Sequence, residues 1–465
     1  MDLGGTNLPG NLKMINTETV KESAYILQVN YGKNSIGTLA LDSSTNLLNL
    51  EYNEHWQQTG FAISPSLLLN NNHSAEVAYN YLDNALPEGE ARKLLAESIG
   101  VSEKNVYSQI RELGNDLSGA VTFAKIDEQE SNSNQNTQPI FRLLEESELE
   151  TRLDHKEEFG LLNWDDKPRL SVAGVQDKLN LFIDDQNNIG FGDGSLCSTH
   201  ILKFEKKNSP KLVLNEYLCM KLSTAVGLPT AEVEFTRFGK HPTLIVKRFD
   251  RRYVADSKLV MRRHVIDGCQ ALNLPRDYKY ERNLGDGRDV KHIRDGANLE
   301  SLFAFCKTMS SPAESIQWLL NWQLFNLMIN NYDSHGKNVS IFFDKKNSKF
   351  TPAYDLVNVA MFPQFKHVLA MAMGDEFEPN DIHAYQFADF AETCGIDKKL
   401  LSRLLTNLAD KVINVLTCEE LISSITNEGR FSDEEMKYLN LVGDSIINRT
   451  TYLRSQSAEI STINV

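Results

Sequence analysis

Apolar and polar positions divide this chain into differently patterned stretches. Between 24 and 52, short alternating runs at Tyr25–Val29, Ile36–Ala40 and 47–52 are separated by the turn sequences Tyr-Gly-Lys-Asn and Asp-Ser-Ser-Thr-Asn, which predicts a small antiparallel sheet. Helical spacing follows at 75–86, 89–99 and 102–113, ahead of the apolar Gly119–Phe123. The run from Asp127 to Gln138 has no apolar face to bury and reads as a flexible insertion or linker. From Arg169 to Asp250 strand patterns dominate, with one helix at 214–226 that stops at Gly227-Leu-Pro. Beyond about 258 the pattern is mainly helical, interrupted by the polar 281–296 stretch and by strand-like runs around 339–357. The predicted organisation is an N-terminal extension (1–21), a small α/β subdomain (22–125), a linker or insertion (126–165), a β-rich lobe (166–255) and a helical lobe (256–465).

The helical spacing at 316–330, with apolar residues at 319, 320, 324, 327 and 328, runs into Asn331-Tyr-Asp-Ser-His-Gly-Lys-Asn338 and then a β-like Val339–Phe343. Asp333 and Asn338 stand at the Asp-x-x-x-x-Asn offset that kinase catalytic loops use for the base and one magnesium ligand. Asp355, in Thr351-Pro-Ala-Tyr-Asp355, lies where a second ligand would. Phosphoryl transfer asks for a proton acceptor and hard oxygen ligands for cations, and this segment supplies both. A polar helix-to-strand turn has the same composition, so the order helix, ionisable loop, strand, second Asp carries the kinase reading.

Composition narrows the field. Formal charge is −15 (48 Lys and Arg against 63 Asp and Glu), which argues against broad attraction to nucleic acid or anionic membrane. No stretch approaches the roughly 18 apolar residues of a membrane helix, and the first residues lack a signal-peptide pattern, so a cytoplasmic protein is expected. Six cysteines, at 197, 219, 269, 306, 394 and 418, are scattered without a Cys-x-x-Cys pair, which fits reduced thiols and not a zinc site or disulfide framework.

A nucleotide end is legible upstream. In Arg169-Leu-Ser-Val-Ala-Gly-Val-Gln-Asp-Lys178 small residues at 171, 173 and 174 would let backbone N–H groups approach phosphate oxygens, although a plain hairpin turn fits equally. Lys203, in the alternating Thr199–Phe204, is either an edge-strand gatekeeper or a phosphate ligand paired with Glu216 on the next helix. Leu244–Asp250 reads as the last strand of the small lobe, its backbone facing an adenine edge with Phe249 nearby.

Together Ser171-Val-Ala-Gly-Val-Gln-Asp-Lys178, His200-Ile-Leu-Lys203, Val246-Lys-Arg-Phe-Asp-Arg251, Gln270-Ala-Leu-Asn-Leu274, Asp333-Ser-His-Gly-Lys-Asn338 and Pro352-Ala-Tyr-Asp355 resemble the HipA family of bacterial serine/threonine kinase toxins. Gly37-Thr-Leu39, Leu82-Asp-Asn-Ala-Leu-Pro-Glu-Gly89 and Gly119-Ala120 are similar to that family's first subdomain, and the likeness runs from about 24 to 420 in the family's order. The resemblance implies an α+β, two-lobed protein-kinase-like fold that uses ATP and Mg2+. It implies Asp333 as catalytic base, Asn338 and Asp355 as magnesium ligands, and Lys203 on the ATP phosphates. Ala173, Gly174, Val175, Gln176, Asp177 and Lys178 would form the phosphate-covering loop, and Lys247, Arg248 and Phe249 the adenine hinge. His335, Gly336, Lys337 and Asn338, with Tyr354 and Asp355, would complete the nucleotide site, and Ser171 matches the family's autophosphorylated serine. Implied partners are a HipB-like helix-turn-helix antitoxin, DNA only through that antitoxin, and a protein substrate such as an aminoacyl-tRNA synthetase. This sequence departs from the family pattern at Lys247, where Glu is common, and at Tyr332 and Ser334, where Thr and Gly are common; none of these removes a catalytic group. A catalytically idle corepressor and a small-molecule or lipid kinase are the rival functions, since fold does not fix substrate.

Overall fold

The computed structural model describes residues 25–126, 138–165, 167–169, 176–418, 420–429 and 431–465. The first subdomain is an antiparallel sheet of β1 (Ile26–Tyr31), β2 (Asn34–Leu41), β3 (Leu48–Tyr52) and β4 (Val121–Lys125) in the order β3-β2-β1-β4. Alternation does what period 2 requires: Leu48, Leu50 and Tyr52 are buried while Asn49 and Glu51 face out. Helices Ala75–Ala85, Gly89–Ser98 and Val106–Leu113 follow, close to the predicted spans. Ser74 and Asn105 cap the first and third by accepting from Val77 N and Ser108 N.

The second sheet has six antiparallel strands. It comprises β5 (Pro139–Leu143), β6 (Lys178–Ile183), β7 (Ile189–Gly194), β8 (His200–Phe204), β9 (Val233–Phe238) and β10 (His241–Lys247), in the order β9-β10-β8-β6-β7-β5. The linker expected over 126–165 is corrected here. Residues 127–137 lie outside the described residues, but β5 pairs with β7, and the helix Glu146–Asp154 buries Leu149 and Leu153 against a core with Leu179, Leu181, Phe191 and Leu202. The polar 127–137 run hid this, because a single exposed edge strand leaves little periodic signal.

Helix α1 (Leu212–Ala225) sits behind the sheet and is buried nearly all round, the mark of a helix enclosed between layers. The helical lobe is built on Leu299–Cys306, Pro312–Met328, Ala384–Cys394, Lys398–Thr417 and Asp433–Ile460. The last opens on a Ser432/Glu435 capping box. The hairpin Arg251–Val254 with Leu259–Arg262 and the strand Val265–Asp267 escaped the sequence pattern; the latter joins Ser340–Phe343 and Ser348–Phe350, which fall in the strand-like stretch expected around 339–357, in a three-stranded sheet.

A buried charged junction locks the first subdomain onto the lobes. Asp250 accepts from Arg248 Nε and Nη2 (3.0 and 2.9 Å), from Arg251 Nη1 (2.7 Å) and from Gly119 N (2.9 Å). Arg251 in turn donates to the carbonyls of Leu117 and Gly119. Gly119 has φ +81° and a Cβ there would meet His264 Nδ1 at 2.9 Å, so only glycine fits. The two guanidinium groups hold the Asp250 carboxyl well below the usual range.

Candidate active site

The segment after Pro312–Met328 folds as a tight loop because its polar side chains bond their own backbone. Asn338 Nδ2 donates to Asp333 O (2.8 Å), Ser334 Oγ to Asn331 O (3.3 Å), and His335 Nδ1 accepts from Lys337 N (3.2 Å) at the head of a one-turn 3-10 helix, Gly336–Asn338. Asn331 reaches Asp355 O with its amide (3.4 Å), so the loop and the segment carrying the second Asp are joined directly. Asp333 Oδ1 accepts from Tyr280 Oη at 2.7 Å.

Lys203 and Lys178 stand opposite each other on β8 and β6, and both are buried. Lys203 Nζ lies 2.5 Å from Glu216 Oε1 on α1 and 2.6 Å from Asp355 Oδ1. These two carboxylates overcome the cost of burial and hold the Lys203 ammonium above its usual range; Lys203 and Lys178 likewise hold Asp355 below its own. Glu216 has no exposed side-chain surface, so a gatekeeper lysine at a solvent edge is not what the fold makes of Lys203. Among the described residues no group of three or more His, Cys, Asp or Glu is placed to hold a metal. A magnesium ion does not need one, since it takes one or two protein oxygens and completes its shell with phosphate and water.

The remaining sequence candidates divide. Phe249 and Tyr354 come together, with ring centroids 5.6 Å apart, and Tyr354 Oη donates to Lys337 O (2.7 Å). Lys247 is exposed and its ammonium pairs with Glu232 (2.7 Å), while the Arg248 guanidinium is sequestered in the Asp250 junction; their backbone N–H groups donate to Glu232 O and Thr199 O (2.9 Å each), and Arg248 O accepts from Arg251 N (3.4 Å). Asp177 is held by Lys156 and Lys206, and Gln176 donates to Phe204 O. His335 is buried, its ring edge-on to Tyr280, and burial lowers its pKa. The Lys337 side chain turns away toward the first subdomain, to Asn84 O (2.6 Å) with Glu88 at 3.5 Å, and also reaches Asp267 Oδ2 of the helical lobe (2.7 Å). Ser171, Ala173, Gly174 and Val175 lie outside the described residues.

The sequence pattern gave no signal for Tyr280 or Asp267 and no role to Asn331. The Leu82–Gly89 motif likewise had no role, which the structure supplies: Asn84 and Glu88 buttress the loop through Lys337. Glu88 is held down at about 2 by Lys337, Lys279 and His335 against the opposing effect of burial. A crevice of about 340 Å3 opens beside Tyr280, between Glu88, Arg92 and Glu103 of the first subdomain and Arg276 and Lys279 of the helical lobe.

Known proteins resemble this chain in both of its parts. Residues 27–124 match the model of the HipA N-terminal domain, and residues 170–416 match that of the HipA-like C-terminal domain. The chain is 40% identical over 394 residues to a serine/threonine-protein kinase toxin, HipA, of Shewanella oneidensis, covering 83% of this chain and 87% of that one. The solved complex of HipA, HipB and operator DNA from Shewanella oneidensis MR-1 superposes with a TM-score of 0.85 at 36% identity, over 94% of this chain and 100% of that one. With both domains matched in order and such a relative aligned along most of its length, the chain belongs to the HipA family.

Proposed function

We propose that this chain is an ATP- and magnesium-dependent serine/threonine protein kinase acting as the toxin of a toxin–antitoxin pair. One observation carries the reading: Lys203 Nζ is bridged to both Glu216 and Asp355, the lysine–glutamate pair and the metal-ligand aspartate that kinases must assemble together. Lys203 and Lys178 would meet phosphate oxygens, and Asp355 with the Asn338 carbonyl oxygen would hold the cation. Bound MgATP would supply the transferable phosphoryl group and the charge that offsets its oxygens. Asp333 accepts the proton of a serine or threonine hydroxyl. The Lys247–Phe249 backbone would face the adenine, with Phe249 and Tyr354 as its apolar floor. A HipB-like antitoxin is the expected partner, DNA is reached through it, and a translation factor such as an aminoacyl-tRNA synthetase is the expected substrate in the cytoplasm. No described helix is long and apolar enough to cross a membrane. Phosphoproteomics after brief expression of the wild type against Asp333→Asn tests the reading. Phosphosites dependent on Asp333 support it, and identical phosphoproteomes would overturn it.

Lys178 provides a pH test. Burial, then the Lys203 charge, depress its ammonium to about 8, against opposing carboxylates at Asp355, Glu216 and Glu88. Phosphate oxygens favour the protonated form, so ATP affinity is expected to be greatest below that pH and to fall as pH rises through it. Titrations of ATP on both sides of pH 8 should show this fall in the wild type, and Lys178→Met should flatten it.

Ser171 is proposed as an autophosphorylation site. A phosphoserine carries about two negative charges, and placed beside ATP phosphates it would repel them. Peptide mass spectrometry should find phosphate on Ser171 in protein incubated with MgATP and none in Asp333→Asn. An unmodified Ser171 in the active protein would remove this self-limiting step while leaving the kinase reading in place.

A further inference from the structure

Tyr280 carries no sequence signal, yet its phenol makes the hydrogen bond to Asp333 that a general base would otherwise accept from its substrate, at 2.7 Å from Oδ1. Such a contact is either a gate that must leave or a brace that stays. The backbone around it decides. Lys279 O accepts from Gly336 N of the catalytic loop (2.9 Å), Glu281 N donates to Ala370 O (2.9 Å), and Tyr278 O accepts from Ala297 N (2.8 Å). Gly296 packs so tightly that a Cβ there would collide with Tyr280 O. The neighbouring Glu281 carboxylate is fixed by Arg294 Nε (2.6 Å) and Ala372 N (2.7 Å). Although 37% exposed, Tyr280 also sets its ring perpendicular to His335, centroids 5.1 Å apart. With Lys279 bonded to the catalytic loop and Glu281 to the 370–372 segment, the backbone that carries Tyr280 is held on both sides and does not move as a lid.

We propose that Tyr280 is a positioning residue for phosphoryl transfer, holding Asp333 through Oδ1 so that Oδ2 faces the acceptor hydroxyl. The inference rests on the assignment of Asp333 as base. Asn331 Oδ1 and Asn338 Nδ2 hold the backbone of Asp333, and Tyr280 holds its side chain. Burial and the Asp333 charge push the phenol pKa upward, so it remains a donor while the carboxylate works. In the step itself Oδ2 takes the acceptor proton as the acceptor oxygen bonds to phosphorus. The bond from that phosphorus to the ADP oxygen breaks, its electron pair leaving with ADP.

The test is Tyr280→Phe, which keeps the ring against His335 and removes only the hydroxyl. ADP formation from saturating MgATP, the KM for ATP, and the melting temperature with and without ATP are compared in the wild type, Tyr280→Phe and Asp333→Asn. Loss of a single orienting contact on a reacting group is expected to lower kcat about 10- to 100-fold, with KM and the ATP-induced thermal shift unchanged. An unchanged kcat would mean the hydroxyl does not position the base, and a raised kcat would make Tyr280 a gate; both overturn the proposal. A loss of kcat together with the thermal shift would make the role structural and overturn it too. If Asp333→Asn matches the wild type, the assignment of the base fails and the inference falls with it, whereas wild-type kcat in Tyr280→Phe alone sinks only the inference.

Discussion

Asp333→Asn and Asp355→Asn are each expected to abolish measurable phosphoryl transfer while leaving circular dichroism close to wild type; Asp333→Asn should also keep its melting temperature, whereas Asp355→Asn should lower it by removing one of the two carboxylates on buried Lys203. General-base catalysis contributes about 100- to 10,000-fold. Losing Asp333 removes that contribution, and losing Asp355 leaves the phosphate charge uncompensated. The choice of asparagine comes from the structure. At Asp333 it can still accept from Tyr280, whose bond to Oδ1 is 2.7 Å, so the loop keeps its shape. At Asp355 the backbone has φ +58°, a left-handed conformation that asparagine tolerates and alanine does not, so an alanine there would confuse a folding defect with a chemical one. Labelling with ATP decides: retention of near-wild-type transfer in either variant would remove that residue from its role.

Lys203 carries the second large effect, and the structure changes what its removal should do. An exposed strand lysine would cost within about 0.5 kcal/mol when replaced. Lys203 is instead buried between two carboxylates, so truncating it strands Glu216 in a site whose burial already raises its pKa. Breaking a buried ion pair by removing one partner typically costs about 3–5 kcal/mol. Lys203→Met should therefore both destabilise the fold and lose the thermal stabilisation given by ATP. The double variant Lys203→Met, Glu216→Gln separates the two, since it restores a neutral buried pair but not the phosphate ligand. Recovered melting temperature with no ATP-induced shift is the expected result; a full ATP shift in the double variant would show that Lys203 is not a nucleotide ligand.

How much of this was legible beforehand follows from which interactions are local. The strands at 26–52 and 178–204 and the helices at 75–113, 212–225 and 312–328 declared themselves, because their burial follows periods of 2 and 3.6 that the order of residues prints directly. The Asp333–Asn338 loop was legible for a similar reason. Its polar side chains bond backbone groups within five residues of themselves, so the spacing is the geometry. The family motifs were equally plain in order and brought Lys203 and Asp355 forward as candidates, while Glu216 was named from its place on the helix that follows the Lys203 strand.

What joins those candidates was not legible. Lys203 and Asp355 are separated by 152 positions and meet at 2.6 Å only because β8 and the segment after Phe350 are brought to one cleft by the packing of the two lobes. The family resemblance puts Lys337 and Arg248 in the nucleotide site, but their charged groups are drawn into buried junctions with Asn84 O, Asp267 and Asp250, where the two carboxylates would otherwise be stranded without a partner charge. Tyr280 sits in a polar stretch with no periodicity, and its contact to Asp333 depends on loop anchors far apart in the chain. The sequence by itself determined the elements, the family and the chemical groups available. The tertiary structure alone decided which of those groups face one another, because long-range pairing is set by the packing of subdomains and leaves no period in the residues that take part.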